Sequence, residues 1–154
     1  YLLAAKAMAG DYDGALDDLK AYWGGMLDMG ATTFWEDFDL DWMKNAGRID
    51  EEVPEGKVDI HGDYGAYCYV NFRHSLCHGW ASGPCPYLTN YVLGIKPIAP
   101  NRYEVKPHLG KLAWAKGTYP TANGGVLSVS VTKDENGELV VHADVPAGVE
   151  IVCD

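Results

Sequence analysis

The residues best suited to chemistry lie in two short clusters, each of which places a polar side chain beside tryptophan. In residues 30–37 (GATTFWED), Glu36 directly follows two aromatic rings. In residues 78–84 (HGWASGP), His78 and Trp80 flank a glycine. An aromatic ring can stack on the apolar face of a pyranose, and a carboxylate can transfer a proton or activate a water. The two clusters together predict part of a carbohydrate-active site.

The charge of the chain excludes two classes of partner. The chain has 154 residues and a formal net charge of −10, from 12 Lys and Arg against 22 Asp and Glu. Nucleic acids and anionic membrane surfaces both require a basic stripe, which the sequence lacks. No apolar run approaches the ~20 residues of a membrane span. We therefore expect neither nucleic acid nor membrane as a partner.

The beginning of the chain predicts a piece of a longer protein. It does not open with methionine, and its first residues already follow a helical pattern. Any targeting segment is then expected outside this chain, so the sequence assigns no compartment.

The four cysteines are Cys68, Cys77, Cys85 and Cys153, and no two of them form a C-x-x-C pair. Their spacing fits neither a zinc site nor a dense disulfide scaffold. We predict buried free thiols, with one disulfide among the first three as the alternative.

The first half of the chain has helical periodicity. Residues 2–8 read as the end of a helix, and Asp11 is the predicted N-cap of an amphipathic helix that Gly30 ends. Further predicted elements are a short helix at 38–46, a surface loop at 47–65, an irregular strand at 64–73 and a helix from Pro84 or Pro86 to Leu93.

The second half has the texture of a β-sheet. Residues 96–101 read as a proline-rich linker, and alternating runs follow at 103–107, 112–119, 126–132, 139–144 and 149–153. Glycine-containing turn signals separate them, which predicts an antiparallel sheet, most simply a small sandwich. The chain is thus expected to be α+β in two segregated parts, a helical domain at 1–97 and a β-domain at 98–154.

Both clusters and their order resemble the bacterial α-L-rhamnosidases of glycoside hydrolase family 78. The resemblance also includes residues 91–95 (YVLGI) and 112–117 (LAWAKG) and covers nearly the whole chain. It implies the last hairpins of an (α/α)6 six-hairpin barrel, followed by a C-terminal antiparallel β-sandwich. The substrate implied is a rhamnose-containing glycan or glycoside.

The resemblance also implies roles for residues of both clusters. Glu36 corresponds to the general base of an inverting hydrolysis, and His78 to a residue that contacts the sugar. Trp35 and Trp80 are candidate sugar platforms, although both are equally compatible with a place in the core. The opposing general acid is expected upstream, in the missing N-terminal part of the parent. The insertion at residues 39–69 looks longer than is typical of the family, which leaves the leaving group open.

Other readings of these residues remain. The chain could instead be a carbohydrate-binding or structural β-sandwich module, or belong to a barrel glycosidase that acts on another sugar. Asp37, Asp39 and Asp41 are read as a solvated acidic face rather than a calcium site, and no metal or cofactor is expected. His61 and His74 are interpreted as structural or surface residues, and His108 and His142 are assigned to the β-half, away from the candidate site.

Overall fold

The computed structural model describes residues 1–59 and 75–153. The chain divides into two compact units. The sheet unit comprises Tyr1–Leu16 and Cys85–Asp154, and the loop unit comprises Asp17–Pro84. Units defined by contacts within this chain do not test the predicted domains at 1–97 and 98–154, which stay a prediction. His61, His74, Cys68 and the predicted strand at 64–73 lie outside the described residues.

The predicted N-terminal helices are confirmed as α1 (Leu2–Met8) and α2 (Tyr12–Asp28). The Asp11 carboxylate accepts the Gly14 N–H at 2.9 Å, which is a side-chain cap at the start of α2. At the other end Gly30 has φ of 90°. The Gly30 N–H donates to the Leu27 carbonyl at 3.0 Å, and the Ala31 N–H donates to the Met26 carbonyl at 2.9 Å. These are the paired bonds of a Schellman C-cap, so both helix ends follow from local sequence.

The core of the loop unit is aromatic. Its buried members are Met26, Met29, Ala31, Trp35, Phe38, Trp42 and Ala46. The short helix predicted at 38–46 is a 3-10 helix, Leu40–Lys44, because the Asp39 carboxylate accepts the Asp41 N–H at 2.9 Å and fixes a tight turn. The described part of the predicted loop, residues 47–59, forms no strand beyond one isolated bridge between Ala46 and Val58.

The helical segment predicted to end near Leu93 is confirmed, with a change of winding. It consists of α3 (Pro84–Tyr87) and a π-helical turn (Leu88–Val92). Gly94 follows with φ of 71°. A side chain at this glycine would meet the main chain of Lys106 at 2.1 Å, so the chain can turn here only with glycine.

Six strands form two three-stranded sheets in the sheet unit. Their bounds are β1 Ile95–Ala99, β2 Arg102–Val105, β3 Trp114–Pro120, β4 Val126–Lys133, β5 Leu139–Asp144 and β6 Glu150–Val152. One sheet has the order β1-β2-β6 and the other β3-β4-β5. The expectation of a wholly antiparallel sheet is wrong in one place, because β6 pairs parallel with β2. The last strand leaves the β4–β5 hairpin and joins the other sheet, where the Glu150 N–H donates to the Asn101 carbonyl at 2.9 Å.

The linker predicted at residues 96–101 is wrong, since most of it is strand β1. Pro97 pairs with Tyr103 of β2, and the register shifts between Pro97 and Ala99. Strand β1 lies at the edge of its sheet, where a missing N–H and an irregular register are tolerated. Pro97 therefore lies within an edge strand rather than in a linker.

The two sheets share one core, and its pattern was predicted. Leu127, Val129 and Val131 of β4 are at most 1% exposed. Leu127 and Val129 belong to one buried cluster with Ile95, Tyr103 and Val105 of the other sheet. The alternation along β4 is thus the signature of one buried and one outward face. These elements confirm the α+β class.

Three of the four cysteines lie within the described residues. Cys77, Cys85 and Cys153 are free but exposed, so the prediction of buried thiols is wrong for these three. Within residues 1–59 and 75–153 no helix is long and apolar enough to cross a membrane. Across the same residues, no group of three or more His, Cys, Asp and Glu side chains could hold a metal ion.

Candidate functional site

Glu36 is fixed to the segment that leads into the second cluster. Its main-chain N–H donates to the Ser75 carbonyl at 2.8 Å. Its side-chain Oε2 in turn accepts the Ser75 N–H at 2.9 Å. The side chain is half-buried. The main-chain donor therefore fixes the orientation of the Glu36 carboxylate relative to the segment that begins at Ser75.

His78 is positioned from the same stretch. Its N–H donates to the Phe34 carbonyl at 2.7 Å, and its carbonyl accepts the Ala81 N–H at 3.0 Å. His78 precedes a short 3-10 helix, Gly79–Ala81. The side chain is half-buried. The two sequence clusters, 40 residues apart, therefore run side by side and are joined by main-chain hydrogen bonds.

Two further side chains hold this pairing in place. The Thr33 hydroxyl donates to the Leu76 carbonyl. Trp23, on helix α2, donates its indole N–H to the Ala81 carbonyl at 2.8 Å. Leu76 also packs against the aromatic core of the loop unit. Helix α2 and the core thus position the second cluster.

The two candidate tryptophans have opposite environments. Trp35 is 1% exposed and packs edge-on against Phe38, with ring centroids 5.9 Å apart. Trp80 is 96% exposed. The expectation that Trp35 contacts sugar does not fit this burial, because a buried ring has no free face for a pyranose. Trp80 retains such a face.

The adjacent carboxylates Glu36 and Asp37 have different neighbours. The Glu36 carboxylate accepts a hydrogen bond from Ser75, whereas the negative charge of Asp37 interacts electrostatically with Tyr22 on helix α2. Burial raises the pKa of Tyr22; its hydrogen bond to the Phe38 main chain lowers it, and the charges of Asp37 and Asp39 raise it further. Asp37 thus lies near Tyr22, while Glu36 is bound to Ser75.

Asp39 and Asp41, the alternative calcium ligands, both make local contacts within or next to the 3-10 helix. The Asp39 carboxylate caps the 3-10 helix, and the Asp41 carboxylate pairs with Lys44 at 2.5 Å. Because these two carboxylates already cap a helix and pair with a lysine, they fit the interpretation of a solvated acidic face.

The fold of this chain is similar to part of a solved structure. A crystal structure titled as a GH78 family rhamnosidase of Bacillus sp. GL1 aligns over 98% of this chain, with a TM-score of 0.67 and 22% sequence identity. The chain has the fold of part of a GH78 rhamnosidase. It spans 14% of the length of that protein. No family model and no curated protein matches the chain by sequence.

The rhamnosidase-like fold includes positioning residues that sequence reasoning missed. Ser75 contributes through its main chain, which leaves no signature in residue type. Trp23 was assigned only to an amphipathic helix face, and nothing in that pattern indicates its hydrogen bond to Ala81. His108 and His142 lie in the sheet unit, as the assignment to the β-half implied.

Proposed function

We propose that the chain is part of an inverting glycoside hydrolase that removes terminal α-L-rhamnosyl groups, with Glu36 as general base. The observation that carries the proposal is the hydrogen-bonded pairing of residues 34–36 with residues 75–78. This pairing places the predicted base and the predicted sugar-binding histidine on two neighbouring segments of the chain. The fold similarity to a protein titled as a rhamnosidase supports it.

In the proposed inverting mechanism, Glu36 activates a water molecule. Its carboxylate takes a proton from a water molecule as the water oxygen attacks the anomeric carbon on the face opposite the leaving group. The glycosidic bond breaks, and a second carboxylic acid protonates the departing oxygen. The Ser75 N–H holds the carboxylate in one orientation relative to the second cluster. Two carboxyl groups suffice for this chemistry, which requires no cofactor.

The general acid is proposed to lie in a part of the parent protein upstream of this chain. An inverting pair is separated by ~6.5–9.5 Å across the sugar, which leaves room for the water. Asp37 directly follows Glu36 in the sequence, so we expect its side chain on the other face of this segment. The proposed parent has an (α/α)6 six-hairpin barrel that ends within residues 1–97 and a β-sandwich in residues 98–154. The missing N-terminal part is then the main protein partner of this chain.

Substrate contacts are assigned to the second cluster. His78 is proposed to hydrogen-bond the rhamnose ring near the reacting carbon, and the exposed Trp80 to stack on the sugar or its aglycone. Trp35, proposed from the sequence as a sugar contact, acts instead by anchoring Glu36 to the core. Its indole is buried directly beside the proposed base.

The test is a product analysis with the full-length parent. Proton NMR of a freshly started reaction on an aryl α-L-rhamnoside should show β-L-rhamnose first, followed by mutarotation. An α-anomer as first product would refute inversion. Aryl α-L-fucoside and α-D-mannoside serve as matched substrates: cleavage of either in preference to the rhamnoside would favour a barrel glycosidase for another sugar. Cleavage of none would favour a binding or structural module.

A further inference from the structure

The sheet β3-β4-β5 has an outward face that the described chain leaves open. On β3, Ala115 and Tyr119 pack against the buried cluster, and a side chain at Gly117 would meet Leu93. Trp114 and Lys116 alternate with these residues and therefore point outward. The same alternation turns the serines of β4 away from the buried valines.

The strand register shows which outward residues are neighbours. Trp114 of β3 lies opposite Thr132 of β4. One step along, Lys116 lies opposite Ser130, and Ser130 lies opposite His142 of β5. Directly opposed side chains on a sheet are about 4.5–5.5 Å apart, and successive residues on one face about 7 Å apart. These five residues therefore cover an area about the size of one or two sugar rings.

The exposure of this face is consistent across the three strands. Trp114 is 66% exposed, and Val140, which lies opposite Thr132, is 40% exposed. Lys116, Thr132 and His142 are exposed, and Ser130 on the central strand is half-exposed. The face thus combines one large free indole with hydroxyl groups and a cation at fixed spacing.

We propose that this face binds a neutral oligosaccharide, with the ring of Trp114 stacked on a pyranose. The Thr132 and Ser130 hydroxyls, the Lys116 ammonium and the His142 imidazole supply donors and acceptors around the ring for sugar hydroxyls. Paired strands present these groups without the ordering of a loop, which reduces the entropy cost of binding. The inference uses only the sheet unit and does not depend on the role of Glu36.

The charges favour a neutral ligand over an anionic one. At the far end of the face, Asp144 lies opposite Ser128, so one carboxylate offsets the charge of Lys116. The chain as a whole has a net charge of −10, which repels polyanions at a distance. A protein partner of the apolar kind would instead leave these polar and charged groups buried and unpaired at a cost.

The experiment is calorimetric titration of the full-length parent with cellohexaose, xylohexaose and mannohexaose, with hexagalacturonate as the anionic probe. We expect binding of at least one neutral probe and no binding of hexagalacturonate. Trp114→Ala should weaken binding of the neutral ligand at least ~10-fold, because it removes the central aromatic contact. Trp114→Phe should retain most of the affinity, and Thr132→Val should lose part of it. Ile98→Ala, which shortens an exposed side chain on the other sheet, is the matched control and should bind as the parent does.

Three results would overturn the proposal. The first is no binding of any neutral probe at millimolar concentration. The second is Trp114→Ala binding within twofold of the parent chain while circular dichroism shows an unchanged fold. The third is resistance of Trp114 to oxidation by N-bromosuccinimide in the full-length parent, which would mean that another part of the protein covers this face.

Discussion

The carboxylate of Glu36 accepts a hydrogen bond of 2.9 Å from the main-chain N–H of Ser75, while the Glu36 N–H donates to the Ser75 carbonyl at 2.8 Å. This reciprocal contact joins two parts of the chain separated by 39 residues. It makes the orientation of the proposed base a property of the pairing between the two clusters. Disturbing either cluster should therefore affect the same site.

His78 provides the first prediction. If its imidazole binds the sugar, His78→Ala should weaken rhamnose binding by roughly 1–3 kcal/mol, since a polar partner on the ligand is left unpaired. The melting temperature should change little. Both quantities can be measured in one variant of the parent protein, by calorimetric titration and by thermal unfolding. A lower melting temperature with unchanged affinity would mean that His78 is structural.

The second prediction compares two glycines with similar backbone angles. Gly94 has φ of 71° and Gly137 has φ of 83°. A Cβ at Gly94 would meet the Lys106 carbonyl at 2.1 Å, whereas a Cβ at Gly137 would meet nothing within 4 Å. Gly137→Ala should cost ~1–2 kcal/mol for the left-handed conformation alone, and Gly94→Ala about 3 kcal/mol or more from the added clash. Urea unfolding of both variants measures the difference. Equal costs would show that the turn at Gly94 relaxes freely.

The free energy of unfolding should depend on pH through His108. Its ring stacks on Tyr12 with ring centroids 3.9 Å apart. Burial lowers the pKa of His108, the charges of Lys96 and Lys106 lower it further, and Glu104 acts in the opposite direction. The folded chain then binds fewer protons than the unfolded chain as pH falls below about 6.5, so stability is lost in that range.

His108→Gln should remove this contribution. The urea midpoint of the parent chain should fall more between about pH 7.5 and pH 5 than that of the variant, because only the parent must protonate His108 on unfolding. His142→Gln, a change at an exposed histidine, is the control and should follow the parent. A variant with the full pH dependence of the parent would show that His108 has no part in it.

The isolated chain should have no rhamnosidase activity, because the proposed general acid belongs to another part of the parent. Its apolar side chains should also favour association: Leu2 is 60% exposed, Met8 82% and Leu27 65%. Turnover of an aryl α-L-rhamnoside, binding of ANS and sedimentation of residues 1–154 are the measurements. A compact monomer that binds no ANS and turns over the substrate would contradict both parts of this prediction.

The sequence was informative where local chemistry determines structure. The cap at Asp11, the glycine at position 30 and the alternation along β4 each depend on neighbouring residues, and all were predicted. Strand β1 was missed because its prolines suit an edge strand as well as a linker, and only the pairing with β2 decides between them. The parallel pairing of β6 was missed for the same reason, since it depends on a partner far along the chain.

At the candidate site, residue types pointed to two clusters, but they did not predict the main-chain hydrogen bonds that join the clusters. Glu36 and His78 stood out because of the residues beside them. The contribution of Ser75 comes from its main chain, and the burial of Trp35 from a core assembled by helix α2 and the residues that follow it. Neither property is encoded in the spacing of side chains, so the burial of Trp35 and the exposure of Trp80 became known only from the structure.

The most direct test of the proposed base is the turnover number of Glu36→Gln in the full-length parent on an aryl α-L-rhamnoside. The amide keeps the size of the side chain and can still accept the Ser75 N–H, but it cannot take a proton from water. Turnover should fall by at least ~10²-fold with little change in substrate binding. Asp37→Asn, which neutralises the adjacent carboxylate, should keep turnover close to that of the parent. Turnover of Glu36→Gln within threefold of the parent protein would contradict the assignment of Glu36 as the general base.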